Sequence, residues 1–170
     1  MSFIELAKER YSCRKFSDKP VEQDKIEKII DSAIVAPTAT NSQPFKVWVI
    51  KSDEGLNKIS KSTICTFGTK LIFAIGAKKD NAWVRPFDNK NFAEIDASIV
   101  ATHMILQIHD LGLGTTWVGY FDEKILKEEF PEMDGYDIVA LLPTGYPADD
   151  SVPAIKHSQY KSKEELIKVL

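Results

Sequence analysis

Asp96-Ala97-Ser98-Ile99-Val100-Ala101-Thr102-His103-Met104-Ile105-Leu106-Gln107-Ile108-His109-Asp110-Leu111, followed by Gly112-Leu113-Gly114, is the stretch from which the fold is read. Ile99, Val100, Ala101, Met104, Ile105, Leu106, Ile108 and Leu111 fall around nearly the whole circumference of a helix, which implies burial on most sides. Helix 96–111 is therefore expected at the centre of the molecule. It carries more apolar surface than a monomer of 170 residues easily covers, so a homodimer is expected to bury part of it. Gly112 stands where a helix commonly ends in a left-handed residue.

Working outward toward the C-terminus, 115–118 reads as a strand, 122–130 as a helix stopped by Pro131, and 136–142 as a strong last strand. A polar tail from Asp149 ends in an expected short helix, 163–169. Toward the N-terminus, segment 80–92 mixes Trp83, Pro86 and Phe87 with three Asn and charges, which suits an exposed loop with aromatic anchors and makes it the candidate lid. Segments 47–50 and 71–75 read as short apolar strands, with a helix over 54–62 between them. Ile26, Ile29, Ile30, Ala33 and Ile34 recur at helical spacing over 21–36, and Pro37 disfavours continuation. Ser2 and Glu5 form a capping box for a first helix reaching about Tyr11.

The length suits one domain over 1–170, and 44% hydrophobic with 28% charged residues is ordinary globular composition. With 22 Lys+Arg against 25 Asp+Glu, the net charge of -3 offers no general attraction to nucleic acid or anionic membranes. No run approaches the roughly 20 apolar residues of a membrane span, and Met1-Ser2-Phe3-Ile4-Glu5 has neither a basic region nor a long apolar stretch, so the cytoplasm is the expected location. Cys13 and Cys65 are far apart and outside any C-x-x-C pattern, which argues against a redox dithiol. His103 and His109, about 240° apart on one helix, cannot chelate a metal together, and no zinc, calcium, Walker A or G-x-S-x-G motif occurs.

Three segments carry candidate chemistry. Arg10-Tyr11-Ser12-Cys13-Arg14 sets two guanidinium forks and a hydroxyl just past a helix end, a donor set apt for phosphate; alone it reads more simply as a solvated basic turn. Asn41-Ser42-Gln43-Pro44-Phe45 offers two amides able to read the edge of a planar heterocycle, and alone it reads as an Asx-type turn entering a strand. Gly112-Leu113-Gly114-Thr115-Thr116-Trp117-Val118-Gly119 fails as a dinucleotide fingerprint because it follows a helix and its third glycine comes too late. Gly119 nonetheless permits close approach of a flat ligand to the backbone.

Together and in order, these segments resemble the nitroreductase family of flavoproteins over almost the whole chain. Arg10, Ser12 and Arg14, followed by Phe16, resemble its R-x-S-x-R segment. Ala36, Pro37, Thr38, Asn41, Gln43 and Pro44 resemble A-P-S-x-x-N-x-Q-P-W, with Phe45 in place of Trp. The long helix ending in G-L-G, and Gly145-Tyr146-Pro147 after the last strand, complete the set. The resemblance implies an α+β fold with a mostly antiparallel central sheet flanked by helices, and an intertwined homodimer with one FMN in each of two interface sites. Arg10, Tyr11, Ser12 and Arg14 would hold phosphate and ribityl from one subunit. Pro37, Thr38, Ala39, Asn41 and Gln43 would approach the isoalloxazine from the other. Thr116, Trp117, Val118 and Gly119 would line the ring, with a backbone N–H near the reactive nitrogen at Gly119 or Tyr120, and Lys161 would add a cation at the phosphate.

The chain is similar to the compact branch of that family, without long helical insertions. The implied activity is ping-pong transfer from NADH or NADPH through FMN to a small planar acceptor such as a nitroaromatic or quinone, with no side chain as acid or base. Two alternatives stand beside it. One is other flavin chemistry on the same fold, of the dehalogenase, flavin-destructase or azoline-oxidase type; the other is a non-catalytic flavin-binding dimer.

Overall fold

Both halves of the capping box at Ser2 and Glu5 form, and α1 (Phe3–Glu9) starts where the sequence places it. The structure, a computed structural model, describes residues 2–170. After α1 come α2 (Gln23–Ile34), β1 (Phe45–Ile50), α3 (Asp53–Ser62), β2 (Leu71–Ala77), β3 (Val84–Arg85), β4 (Lys90–Asn91), α4 (Ala93–Asp110), β5 (Gly114–Thr115), α5 (Glu123–Glu129), β6 (Asp137–Gly145) and α6 (Lys163–Leu166). No helix among the described residues is long and apolar enough to cross a membrane.

The main sheet has the order β1-β2-β6-β5, and every neighbouring pair is antiparallel. The architecture is α+β, as expected. β2 is buried along its whole length, and its side chains alternate between two cores. Leu71, Phe73, Ile75 and Ala77 face α2 and α4, packing with Ile29, Val100, Ala101, Met104 and Ile108. Ile72 and Ala74 face the other side, with Ile59 of α3 and Leu126 of α5. Each such large apolar side chain contributes roughly 1.5–3 kcal/mol by leaving water. α4 is central because Ala97, Val100, Ala101, Met104 and Ile108 are all buried against this sheet. Ile95, Ile99, Ile105 and Leu106, around the rest of its circumference, are only partly covered.

β6 changes faces part-way. The register shifts between Ile75 and Gly76, so Ile138 joins the α3/α5 core while Val139 and Ala140 both lie on the α4 side. Gly76 sits at this shift because a Cβ there would lie 2.7 Å from the Trp48 ring.

Several boundaries differ from the sequence expectation. α1 ends at Glu9 rather than near Tyr11, because Arg10 turns extended (φ -58, ψ 125) to enter a sheet-edge segment. α2 spans Gln23–Ile34 rather than 21–36, closing two residues before Pro37 with Val35 as its C-cap. The strand expected over 115–118 is interrupted: β5 covers Gly114–Thr115, and Val118 rejoins the sheet only through paired bonds with Leu141. Two residues along from Leu141, the next donor on that side of β6 would be Pro143, which has no N–H to give to Thr116. β6 itself runs on to Gly145. The C-terminal helix stops at Leu166 instead of 169, since Leu166, Ile167, Val169 and Leu170 are all exposed and no packing extends it.

Segment 80–92 is also more regular than an open loop. It holds the short hairpin β3–β4, with Asn89 left-handed (φ 56) at the turn. Trp83 packs edge-on against Phe92 at 4.9 Å, and Arg85 grips Asp88 through two hydrogen bonds. Those contacts pin the hairpin base, while Phe87 is 93% exposed at its tip.

Candidate functional site

Residues 10–17 form an extended strap along the β5 edge of the sheet. Ser12 bridges Thr115 in parallel, the Cys13 N–H donates to the Thr115 carbonyl at 2.9 Å, and Phe16 bridges Pro147. Ser17 N–H to Tyr146 O (2.8 Å) and Ala148 N–H to Lys15 O (3.1 Å) continue the tie. Cys13 is fully buried, and a Cβ on Gly114 would lie 2.7 Å from its Cβ and Sγ, so this crossing requires glycine. The Tyr11 hydroxyl donates to Ser151 Oγ at 3.0 Å. Alternation along extended backbone then leaves Arg10, Ser12 and Arg14 on the face opposite Cys13. Neither arginine forms an ion pair among the described residues. Arg14 makes only a 3.3 Å hydrogen bond to the carbonyl of Ser12. Two guanidinium groups standing free on one face are a donor set suited to a dianionic phosphate.

The Gly145-Tyr146-Pro147 turn beside the strap is held by its tyrosine. Tyr146 donates to Glu22 Oε2 at 2.7 Å, Lys25 reaches the same hydroxyl at 2.9 Å, and Lys25 also caps α4 through the Leu111 carbonyl at 2.8 Å. The Tyr146 hydroxyl, the Glu22 backbone N–H and the nearby Lys19 pull the Glu22 carboxyl down to about 2.

Residues 38–43 form a second, very different segment. Thr40, Asn41 and Gln43 all take positive φ (54, 54 and 46°), a conformation that costs a β-branched residue such as Thr40 of order 1–3 kcal/mol. The Thr38 hydroxyl accepts from the Gln43 N–H, and the Gln43 amide donates to the Ile34 carbonyl at the end of α2. The Ala39 N–H donates to Oδ1 of Asp96, in the first turn of α4, at 3.0 Å. Asn41 is exposed and its amide has no partner among the described residues.

A third segment runs from Thr116 to Tyr120. Thr116 and Val118 are buried, whereas Trp117, Gly119 and Tyr120 face solvent. The Gly119 and Tyr120 N–H groups have no acceptor among the described residues, and a Cβ on Gly119 would meet nothing within 4 Å, so the backbone borders open space. Thr63 holds the Tyr120 carbonyl through its hydroxyl at 2.5 Å.

α4 separates the first two segments. Loop 38–43 is tied to Asp96 at its start, and the strap crosses Gly114, just beyond its end at Asp110. Fourteen residues of helix at 1.5 Å rise place them about 21 Å apart.

The model described as the nitroreductase family matches residues 7–70 and 66–146. The chain belongs to the nitroreductase family. A nitroreductase family protein from Clostridium difficile 630 is similar in structure, with 40% identity and TM-score 0.92 over 99% of this chain and 98% of that one. A protein of Archaeoglobus fulgidus named for NADH dehydrogenase/NAD(P)H nitroreductase activity is 30% identical over 149 residues, 83% of each chain. An FMN complex from Exiguobacterium sibiricum shares the fold at TM-score 0.84 and 19% identity, covering 100% of this chain and 98% of that one.

Within this nitroreductase-family chain, the strap brings Arg10, Tyr11, Ser12 and Arg14 together with Thr115 and Pro147. Pro37, Thr38, Ala39, Asn41 and Gln43 gather in the loop, with the Gln43 amide engaged on α2. Lys161 lies in the tail past His157, whose ring reaches the Lys8 carbonyl in the last turn of α1 (3.1 Å), and it forms no ion pair among the described residues. Asp96 was not among the residues singled out by sequence. Only its burial beside Ala97 and Val100 shows that it points inward. Thr63 carries no sequence signal either, because its contact with residue 120 is set by tertiary folding alone.

Proposed function

We propose that this chain is an FMN-dependent NAD(P)H oxidoreductase working as a cytoplasmic homodimer with two shared sites. The observation that carries the reading is the separation along α4. The phosphate-suited strap and the donor-bearing loop stand at opposite ends of one helix, so the strap and loop of one chain do not grip the same ring. A two-fold related second copy, with its α4 running antiparallel, brings the loop of one subunit to the strap of the other. Partly covered Ile95 and Ile99, and separately the groove that Leu106 lines with Phe3, Leu6 and Val35, support that pairing.

In this arrangement Arg10, Ser12 and Arg14 bind phosphate and ribityl, and Lys161 adds charge. The partner subunit's Thr38 and the partner subunit's Asn41 would approach the isoalloxazine ring. Gly119 and Tyr120 offer their free N–H groups to its reactive edge. FMN held there would supply the redox chemistry of a ping-pong exchange between NADH or NADPH and a small planar acceptor. The protein's share is orientation, charge and restricted access.

Hairpin 80–92 borders the open face in this reading. Its pinned base and exposed Phe87 suit stacking of aromatic acceptors at little ordering cost. Phe87→Ala is expected to lower kcat/KM for nitroaromatics and quinones while flavin content and the rate of flavin reduction stay unchanged; equal losses in all three would remove the hairpin from the acceptor site. The test of the whole reading is anaerobic stopped-flow of the purified protein with NADH, NADPH and an acceptor panel. About one FMN per chain, bleached by a nicotinamide and reoxidised by acceptor, is expected; colourless protein that takes up no FMN contradicts the reading.

A further inference from the structure

Asp96 is 1% exposed, in the first turn of α4, among Ala93, Ala97 and Val100. Its Oδ1 accepts the Ala39 N–H at 3.0 Å, and its Oδ2 is a buried oxygen with no partner among the described residues. A carboxylate buried with a single hydrogen bond is a poor packing element, and an apolar side chain of similar volume would fill the space at lower cost. The one contact it makes reaches the loop that carries Thr40, Asn41 and Gln43 at positive φ.

The loop's other bonds are largely internal. Asn41 N–H donates to Thr38 O, Ser42 N–H to Ala39 O, and the Ser42 hydroxyl to Ala39 O, all of which move with the loop. Beyond the backbone bond from Phe45 of β1 to the Gln43 carbonyl, two side-chain ties fix it to rigid elements. The Gln43 amide holds the trailing half to α2, and Asp96 holds the leading half to α4.

We propose that Asp96 is a positioning residue for the cofactor site: its carboxylate locks the Ala39 peptide and thereby keeps Thr38–Asn41 in the strained conformation that meets the partner subunit's flavin. The assignment rests on the FMN reading above. The side chain acts through the Ala39 peptide and does not itself touch the flavin.

The test compares FMN dissociation constants and apo-protein melting for Asp96→Asn, Asp96→Ala and Ala39→Pro. Asn keeps an Oδ1 acceptor, so FMN affinity within about three-fold of wild type is expected. Ala deletes the acceptor and is expected to weaken FMN by about 10- to 100-fold, while apo melting changes little because the buried, unpartnered Oδ2 leaves with it. Ala39→Pro deletes the donor and sets its ring Cδ against the Asp96 carboxylate, a clash that Asp96→Ala relieves; Thr38, extended at φ -131 and ψ 158, tolerates a following proline. It should reproduce the FMN loss, and the Asp96→Ala/Ala39→Pro double variant should be no worse than either single. Should Asp96→Ala fail to fold, Ala39→Pro and Asp96→Asn decide the matter. Wild-type affinity in Ala39→Pro, or equal FMN losses in Asn and Ala tracking a fall in melting temperature, overturns the assignment. Wild-type protein that binds no FMN instead refutes the functional reading, which separates the two failures.

Discussion

The strap at 10–17 and the loop at 38–43 both present donors to the proposed flavin, but they are held in place by different means. Backbone bonds to Thr115, Tyr146 and Ala148 fasten the strap to the sheet, its torsions are ordinary, and Cys13 plugs it into the core. Side chains fasten the loop: Asp96 from α4, the Gln43 amide onto α2, and the Thr38 hydroxyl within it. A strap fixed by its backbone leaves Arg10 and Arg14 free to change without changing the fold. A loop fixed by side chains stores strain and couples its shape to a few substitutable residues.

The comparison breaks most sharply at Gly114. An alanine Cβ 2.7 Å from both Cβ and Sγ of buried Cys13 has nowhere to go, so Gly114→Ala is expected to cost about 3 kcal/mol, the upper end of overpacking, and to release flavin as the strap lifts. Chemical denaturation with a parallel FMN titration measures both; a variant of unchanged stability would mean that the strap is loosely held.

Arg14→Ala should separate binding from folding. Loss of one charge-assisted contact is expected to weaken FMN by about 1.5–3 kcal/mol, with the apo melting temperature unmoved. A matching loss of apo stability would show that the guanidinium serves the fold.

The smallest effects should carry opposite signs. Thr40→Gly relieves a left-handed β-branched residue (φ 54) and is expected to raise stability by about 0.5 kcal/mol after the entropy of the unfolded glycine is subtracted. Ser12→Gly, in an unstrained strap, is expected to lower it by about 0.5–1 kcal/mol. Two changes of the same sign would erase the contrast in differential scanning calorimetry.

Much of this arrangement was legible in the sequence because the underlying signals are local. The apolar circumference of 96–111, the short runs at 47–50 and 71–75 and the capping box at Ser2 placed the main elements, while the ordered set of short motifs pointed to the family and, through that resemblance, to the α+β class. What escaped depends on pairing between distant residues. The bulge opposite Gly76, the break in the fifth strand opposite Pro143 and the Trp83–Phe92 contact that closes a hairpin each need a partner strand to be known first. The arginines of the strap could be named as candidate phosphate donors through the resemblance, but their freedom from ion pairs could not be read from the sequence. Asp96 was hidden for a related reason: a carboxylate near a helix start reads as a favourable dipole interaction, and only packing shows that it points inward.

The central claim is that each flavin site draws on two subunits, and subunit mixing tests it most directly. Arg14→Ala disables the strap half; Asn41→Asp, which tolerates the left-handed backbone, replaces an amide donor with a carboxylate that repels the flavin carbonyls. Unfolded together and refolded as a mixture, the two variants form mixed dimers in which one site combines an intact strap with an intact loop from the other chain. The account predicts tight FMN binding at about a quarter of the sites in the mixture, absent from either variant alone. No recovery of tight binding in demonstrably mixed dimers would contradict it and place each flavin within a single chain.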